Sequence, residues 1–138
     1  LLSVEDNVGY IPQEAVEIIS KFMDVTENDV WGVSSFYTNF QFHPPGRHII
    51  EACWGPSCHI LGAGTVVERI LGDLGLSGEG STSDGECTLR FNTCLGACSN
   101  GPVITVDHKV LGKITPKRAS ELISELMSPL ISGVRNDE

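Results

Sequence analysis

The fold is decided by a stretch in which a predicted strand runs directly into a pair of cysteines: His48-Ile49-Ile50-Glu51-Ala52-Cys53-Trp54-Gly55-Pro56-Ser57-Cys58. Residues 48–52 have the length and the β-branched content of a strand, and the cysteines that follow are spaced C-x4-C in a loop of small residues and proline. A second predicted strand, residues 88–92, runs into a related loop, Thr93-Cys94-Leu95-Gly96-Ala97-Cys98. If these strands are neighbours in one sheet, all four sulfurs meet at one edge. The sequence therefore predicts a metal site there.

Two pairs of cysteines in such loops are compatible with three kinds of site. A 2Fe-2S cluster is bound by four cysteines, two on each iron in the simplest arrangement. Structural zinc also accepts four cysteines, although zinc ligands are usually paired as C-x2-C. A dithiol oxidoreductase is a third candidate, but its C-x-x-C spacing is missing here. The residues favour one 2Fe-2S cluster on Cys53, Cys58, Cys94 and Cys98, with a structural zinc interaction module and a thioredoxin-like thiol oxidoreductase as the alternatives.

The residues between the cysteines are small enough to leave backbone amides free to approach the sulfurs, which raises the reduction potential of a bound cluster. They are Gly55, Ser57, Gly96 and Ala97. Cys58 lies near a predicted helix start, where free amides and the helix dipole favour a thiolate.

Three further residues lie in or near the loops. Cys87 is outside both loops and is predicted to be a free, half-buried thiol that does not bind metal. Trp54 and His59 adjoin predicted ligands and either shield the cluster or serve as ordinary loop residues.

Residues 1–45 are predicted to form an N-terminal helical segment. A helix with Pro12 at its first position has an apolar face made of Ala15, Val16, Ile18, Ile19, Phe22 and Met23. Thr26 is predicted to cap a second helix, with Asp29 completing a capping box. The aromatic stretch over residues 31–42 is expected to be mostly core, with some side chains facing a partner protein. Pro44-Pro45-Gly46 then marks the boundary with a second domain, residues 46–138.

The second domain is predicted to alternate helices and strands. A helix follows Cys58, residues 75–86 form an exposed loop, and strands over 103–106 and 110–111 form a hairpin that turns at Asp107-His108. Thr115-Pro116 caps a final helix whose buried face is Ala119, Leu122, Ile123, Leu126 and Leu130. The polar residues 132–138 are expected to fray.

Composition excludes several classes of partner. Eighteen acidic and nine basic residues give a net charge of −9, without a basic cluster that could neutralise phosphates. Nucleic acid is therefore not expected as a partner. No apolar run is long enough to cross a membrane, and no secretory signal opens the sequence. We expect a cytoplasmic chain that is soluble or peripheral in a larger complex.

Five motifs, taken in order, resemble one known family, the thioredoxin-like 2Fe-2S subunit of NADH dehydrogenase (respiratory complex I) and of NAD-linked hydrogenases and formate dehydrogenases. They are Gly9-Tyr10-Ile11-Pro12, Gly32-Val33-Ser34-Ser35-Phe36-Tyr37, Cys53 with Cys58-His59, Asp84-Gly85, and Cys94-Leu95-Gly96-Ala97-Cys98. The resemblance covers nearly the whole chain.

The resemblance implies an α/β fold, a thioredoxin-like ferredoxin domain preceded by a short N-terminal helical segment that docks on a partner. It implies an electron-transport role, in which a 2Fe-2S cluster on the four cysteines exchanges single electrons with a partner's flavin. FMN and NAD(H) belong to that flavin- and NAD-binding partner subunit, and other iron-sulfur subunits complete the oxidoreductase. This chain is then not catalytic by itself. Gly101-Pro102 is similar to the place where thioredoxin folds keep a cis-proline.

Overall fold

The computed structural model describes residues 1–37 and 40–128. The chain divides into two compact units, Leu1–Pro45 and Gly46–Glu138. No helix in the described ranges is long and apolar enough to span a bilayer.

The N-terminal unit contains three helices, α1 (Leu2–Val8), α2 (Gln13–Met23) and α3 (Glu27–Phe36). Helix α1 was not predicted, because its seven residues carry neither a side-chain cap nor a buried residue. Pro12 is the N-cap of α2 and not its first helical residue. The capping box of α3 is confirmed: the Asp29 amide donates to the Thr26 hydroxyl, and the Thr26 amide donates to the Asp29 carboxylate.

The N-terminal unit has a small core. Ile11, Val16 and Val30 are buried, and the rings of Trp31 and Phe42 lie 4.6 Å apart beside them. The predicted apolar face of α2 is only partly buried, which corrects the expectation for Ile18, Phe22 and Met23, all of them exposed. In the aromatic stretch, Phe36 and Tyr37 are also exposed. The helical spacing identified an apolar face, but it could not tell which side chains the unit itself covers.

The second unit is built on a mixed five-stranded sheet in the order β2-β3-β1-β4-β5. Its strands are β1 (His48–Cys53), β2 (Gly80–Ser81), β3 (Cys87–Asn92), β4 (Ile104–Val106) and β5 (Lys109–Leu111). Strands β1 and β3 are parallel neighbours, whereas β4 is antiparallel to both β1 and β5. The predicted hairpin turn is confirmed, with positive φ at both Asp107 and His108. Residues 75–86 are not wholly a loop, because β2 pairs with β3 and Thr82 is buried.

As far as residue 128, three α-helices accompany the sheet: α4 (Pro56–Ile60), α5 (Ala63–Leu74) and α6 (Pro116–Met127). Apolar side chains of α5 and α6 form one core with the sheet, including Ile50, Val66, Ile70, Leu89 and Ile123. Thr115 caps α6 as predicted, since its hydroxyl accepts from the Arg118 amide. Leu130 and the tail over residues 132–138 lie outside the described residues.

Candidate metal centre

The parallel pair β1 and β3 brings the two cysteine loops to the same edge of the sheet. Cys53, the last residue of β1, is the register partner of Asn92, the last residue of β3. Cys58 follows in the short helix α4, and Cys94 and Cys98 follow β3, with Cys98 opening a single 3-10 turn over Cys98–Asn100. The carboxyl ends of parallel strands meet at one edge, so the sheet delivers both loops to one place.

The four sulfurs converge. The Cys94 and Cys98 Sγ atoms lie 3.8 Å apart. The Cys53 thiol is within hydrogen-bonding reach of both Cys58 and Cys94, which joins the two loops. Two thiolates on one tetrahedral metal with bonds of about 2.3 Å would be about 3.8 Å apart, so the Cys94 and Cys98 sulfurs already have that spacing.

In the described part of the chain, no group of three or more His, Cys, Asp and Glu side chains is arranged around a single metal ion. A dinuclear cluster spreads its thiolates over two irons, so its ligands need not converge on one point.

Burial divides the four cysteines into two kinds. Cys53 and Cys58 are buried among Ala63 and Val103, while Cys94 and Cys98 are exposed. One side of the site therefore rests on the protein and the other faces outward.

Backbone amides point at the sulfurs, as the small loop residues predicted. Cys53 Sγ accepts from the amides of Leu95 and Gly55, and the Gly96 amide lies 3.4 Å from Cys94 Sγ. The Val103 amide donates to Cys58 Sγ. The amides of Leu95 and Val103 were missed, because their approach depends on how the loops fold and not on residue size.

The pKa values of the two buried thiols shift in opposite directions. Burial tends to raise the pKa of Cys53, but the two amides and the neighbouring thiols outweigh it, so that its pKa is lowered overall. The pKa of Cys58 is raised, first by burial and then by its hydrogen bond to Cys53, despite the Val103 amide. Burial and the neighbouring Cys53 therefore outweigh any lowering of the Cys58 pKa by the helix start, contrary to the expectation from the sequence.

Aromatic side chains border the first loop. The Trp54 ring stacks on Phe91 at a centroid distance of 5.8 Å and meets His59 edge-on at 4.7 Å. Trp54 is 43% exposed, so it packs against the loop while keeping one side open. The peptide bond between Gly101 and Pro102, which follows the second loop, is cis, as the sequence suggested.

Cys87 is separate from these sulfurs. It begins β3, is fully buried and not half-buried as predicted, and its Sγ contacts Met127 Sδ at 3.7 Å. Burial raises its pKa to about 11, with smaller contributions from Asp84, Glu86 and Asp107. It is a core thiol at the far end of the strand that leads to Cys94.

The family model described as thioredoxin-like [2Fe-2S] ferredoxin matches residues 1–127. The chain belongs to this family. Its α/β fold, with a helical segment before a thioredoxin-like ferredoxin domain, confirms the fold class and the resemblance drawn from the sequence. The donor set fits the family's cluster in kind, since four thiols and several amide donors converge.

Curated relatives of this ferredoxin family member are subunits of larger enzymes. The chain is 33% identical over 117 residues to the HndA subunit of an NADP-reducing hydrogenase from Solidesulfovibrio fructosivorans, covering 85% of this chain and 68% of that protein. It is 33% identical over 120 residues to one subunit of the NADH-quinone oxidoreductase of Pseudomonas aeruginosa, covering 87% of this chain and 72% of that protein.

A solved structure shares the fold of this family member. It is an NAD+-reducing [NiFe]-hydrogenase in the air-oxidized state, with a TM-score of 0.77 at 17% identity. The match covers 91% of this chain and 22% of that longer chain.

Proposed function

We propose that this chain is an electron-transfer subunit holding one 2Fe-2S cluster on Cys53, Cys58, Cys94 and Cys98. It would exchange single electrons with the flavin of an NAD(H)-oxidising or NAD-reducing partner in a multi-subunit oxidoreductase, in a cytoplasmic part of that assembly. A bound 2Fe-2S cluster supplies one-electron oxidation and reduction. The observation that carries the proposal is the convergence of four thiols from two loops at the ends of β1 and β3.

The division between buried and exposed cysteines supports transfer to another protein. Cys53 and Cys58 anchor the site to the core, whereas Cys94 and Cys98 present the other side to the surroundings. A partner that covers the second loop would come closest to the bound iron. The amides of Gly55, Leu95 and Gly96 would stabilise negative charge on the sulfurs. We expect a midpoint potential of roughly −400 mV or somewhat higher, as for all-cysteine ferredoxins.

The N-terminal unit has the surface of a protein-docking segment. Phe22 and Phe36 are 85% and 78% exposed, and an apolar groove of about 590 Å³ is lined by Leu1, Leu2, Ile19, Met23, Val33 and Phe40. Residues 1–45 also carry seven acidic side chains and one basic one. We expect this unit to dock on a partner surface that is apolar and rimmed by Lys and Arg.

Nucleotide chemistry is assigned to the partner. The sequence has no Gly-rich phosphate loop between a strand and a helix, so we assign the binding of FMN and NAD(H) to the partner subunit. Further iron-sulfur subunits would complete the electron path. The relatives named for a hydrogenase and for a quinone oxidoreductase support both kinds of parent enzyme.

Anaerobic purification tests the proposal. The protein should be red-brown, contain about two irons and two sulfides per chain, and give an EPR signal after dithionite reduction. Colourless protein containing zinc would contradict it. Affinity purification of the full chain from its native cell extract should also recover a flavoprotein, identified by mass and by its bound FMN.

A further inference from the structure

Two glycines lie where the cysteine loops approach each other, Gly55 within the first loop and Gly101 after the second. The backbone conformation requires glycine at neither. Gly55 has φ −65° and ψ 157°, and Gly101 has φ −61° and ψ 154°. Any residue adopts these extended angles. Gly96 differs, since its φ of +75° favours glycine for conformational reasons. Another property must explain Gly55 and Gly101.

The lack of space for a side chain explains why residue 55 is glycine. A Cβ atom at this position would lie 2.9 Å from the carbonyl oxygen of Thr93, which belongs to the second loop. It would also lie 3.5 Å from Cys53 Sγ and 3.7 Å from Cys94 Cβ. The Thr93 oxygen is a backbone atom and cannot rotate aside, so a side chain at residue 55 would force the loops apart.

Gly101 lies beside the other two cysteines, Cys58 and Cys98. A Cβ atom there would lie 2.8 Å from Leu61 Cδ1, 3.4 Å from Cys58 Sγ and 3.4 Å from the Cys98 carbonyl oxygen. The Leu61 side chain is exposed and its end can move, and a Cβ at residue 101 would be in van der Waals contact with Cys58 and Cys98 without overlapping them. The obstruction at residue 101 is therefore milder than at residue 55.

We propose that Gly55 and Gly101 are positioning residues that set the separation of the two cysteine loops around the cluster. A Cβ at residue 55 would meet atoms of Cys53 and Cys94, and a Cβ at residue 101 would meet atoms of Cys58 and Cys98, so each position borders one cysteine from each loop. The inference rests on the proposed function, because it assumes that the four cysteines share one cluster. A methyl group at either glycine would displace sulfurs relative to one another without removing a ligand.

The test compares full-length wild type, Gly55→Ala and Gly64→Ala after anaerobic reconstitution with iron and sulfide. Gly64 is the matched control, because a Cβ at this position in α5 meets nothing within 4 Å. We expect Gly55→Ala to lose its cluster to a chelator about 10- to 100-fold faster than wild type, the usual effect of disturbing the residues that orient metal ligands. Its reduced EPR spectrum should also change, whereas Gly64→Ala should match wild type in both measurements.

The outcomes separate this inference from the proposed function. Wild-type protein without iron and sulfide would overturn both. Iron-loaded wild type together with a Gly55→Ala protein of the same cluster lifetime and EPR spectrum would overturn only the positioning role. The midpoint temperature of thermal unfolding of the metal-free proteins measures the purely structural effect. We expect this temperature to differ little between Gly55→Ala and wild type, in contrast to the large difference in cluster lifetime.

Gly101→Ala, made with and without Leu61→Ala, keeps the inference testable if Gly55→Ala fails to fold. Trimming Leu61 removes the nearest obstacle but leaves the contact with Cys58 Sγ. We expect the altered EPR spectrum of Gly101→Ala to persist in the double variant. Full return to the spectrum of Leu61→Ala alone would show that residue 101 acts through packing and not on the cysteine.

Discussion

Cys53 and Asn92 face each other as register partners at the carboxyl ends of β1 and β3, and Asn92 holds both cysteine loops. Its carbonyl oxygen accepts from the Trp54 amide at 2.8 Å, and its side-chain Oδ1 accepts from the Cys94 amide at 3.3 Å. Asn92→Ala keeps the first bond and removes the second. We expect the free energy of unfolding to fall by about 1 kcal/mol and the cluster to be lost faster to a chelator.

Asn7→Ala is the control for that variant, because Asn7 makes its side-chain hydrogen bond to Ser3 within α1, away from the cysteines. Chelator-dependent bleaching of the visible absorption measures both variants. Equal cluster lifetimes for Asn92→Ala and Asn7→Ala would show that the Asn92 side chain does not hold the second loop.

Replacing cysteines one at a time should separate ligands from the core thiol. Cys94→Ser should strip or destabilise the cluster, because a hydroxyl is a harder and weaker ligand for iron than a thiolate. Cys87→Ser should keep the cluster but lower the free energy of unfolding by about 1–3 kcal/mol, since it buries a hydroxyl in an apolar position. Iron and sulfide analysis with urea unfolding checks both, and equal cluster loss from the two variants would mean that the ligand set is wrong.

The buried Cys87 thiol should make stability depend on alkaline pH. Its folded pKa is about 11, against about 9 when unfolded, so the folded state keeps the proton longer. The stabilisation is complete below pH 9 and declines as the pH rises towards 11, to a total loss of about 3 kcal/mol. Urea unfolding of metal-free protein at several alkaline pH values should show that the free energy of unfolding declines less steeply with pH for Cys87→Ala than for wild type. Parallel declines would show that Cys87 is not the group responsible for the loss of stability.

The exposed phenylalanines of the N-terminal unit should matter for assembly and not for folding. Phe22→Ser should weaken binding to the flavoprotein partner about tenfold or more, as aromatic anchors do at interfaces, while stability stays within about 0.5 kcal/mol. Val110→Ser is the control, an exposed apolar residue on the edge strand β5 of the other unit. Binding measured at two salt concentrations should also weaken at higher salt, because the unit is acidic.

The sequence predicted several elements well where the signals of neighbouring residues agree. Strand content before Cys53, the caps Thr26 and Thr115, and the two-residue turn at Asp107 each depend on neighbouring residues, and each appears in the structure. The convergence of the loops followed once the two strands were taken as neighbours.

What the sequence could not predict depends on contacts between distant residues. Strand β2 has only Gly80 and Ser81, which carry no strand signal, and it forms because β3 offers a free edge. Phe22 lies on the apolar face of α2 and is nevertheless exposed, because periodicity marks such a face but not which of its side chains the unit itself covers. The role of Gly55 likewise appears only when the Thr93 carbonyl of the other loop is placed beside it.

The Asp107-His108 turn lies at the end of β1 remote from the cysteines. Asp107 accepts a hydrogen bond from the Ile49 amide and pairs with the His48 ring at 2.8 Å, which pins the start of the strand that ends at Cys53. Six residues of strand span about 17 Å. A spin label or an electrode linker attached at His108 would therefore stand about one strand length from the proposed cluster, at the end of β1 opposite to Cys53.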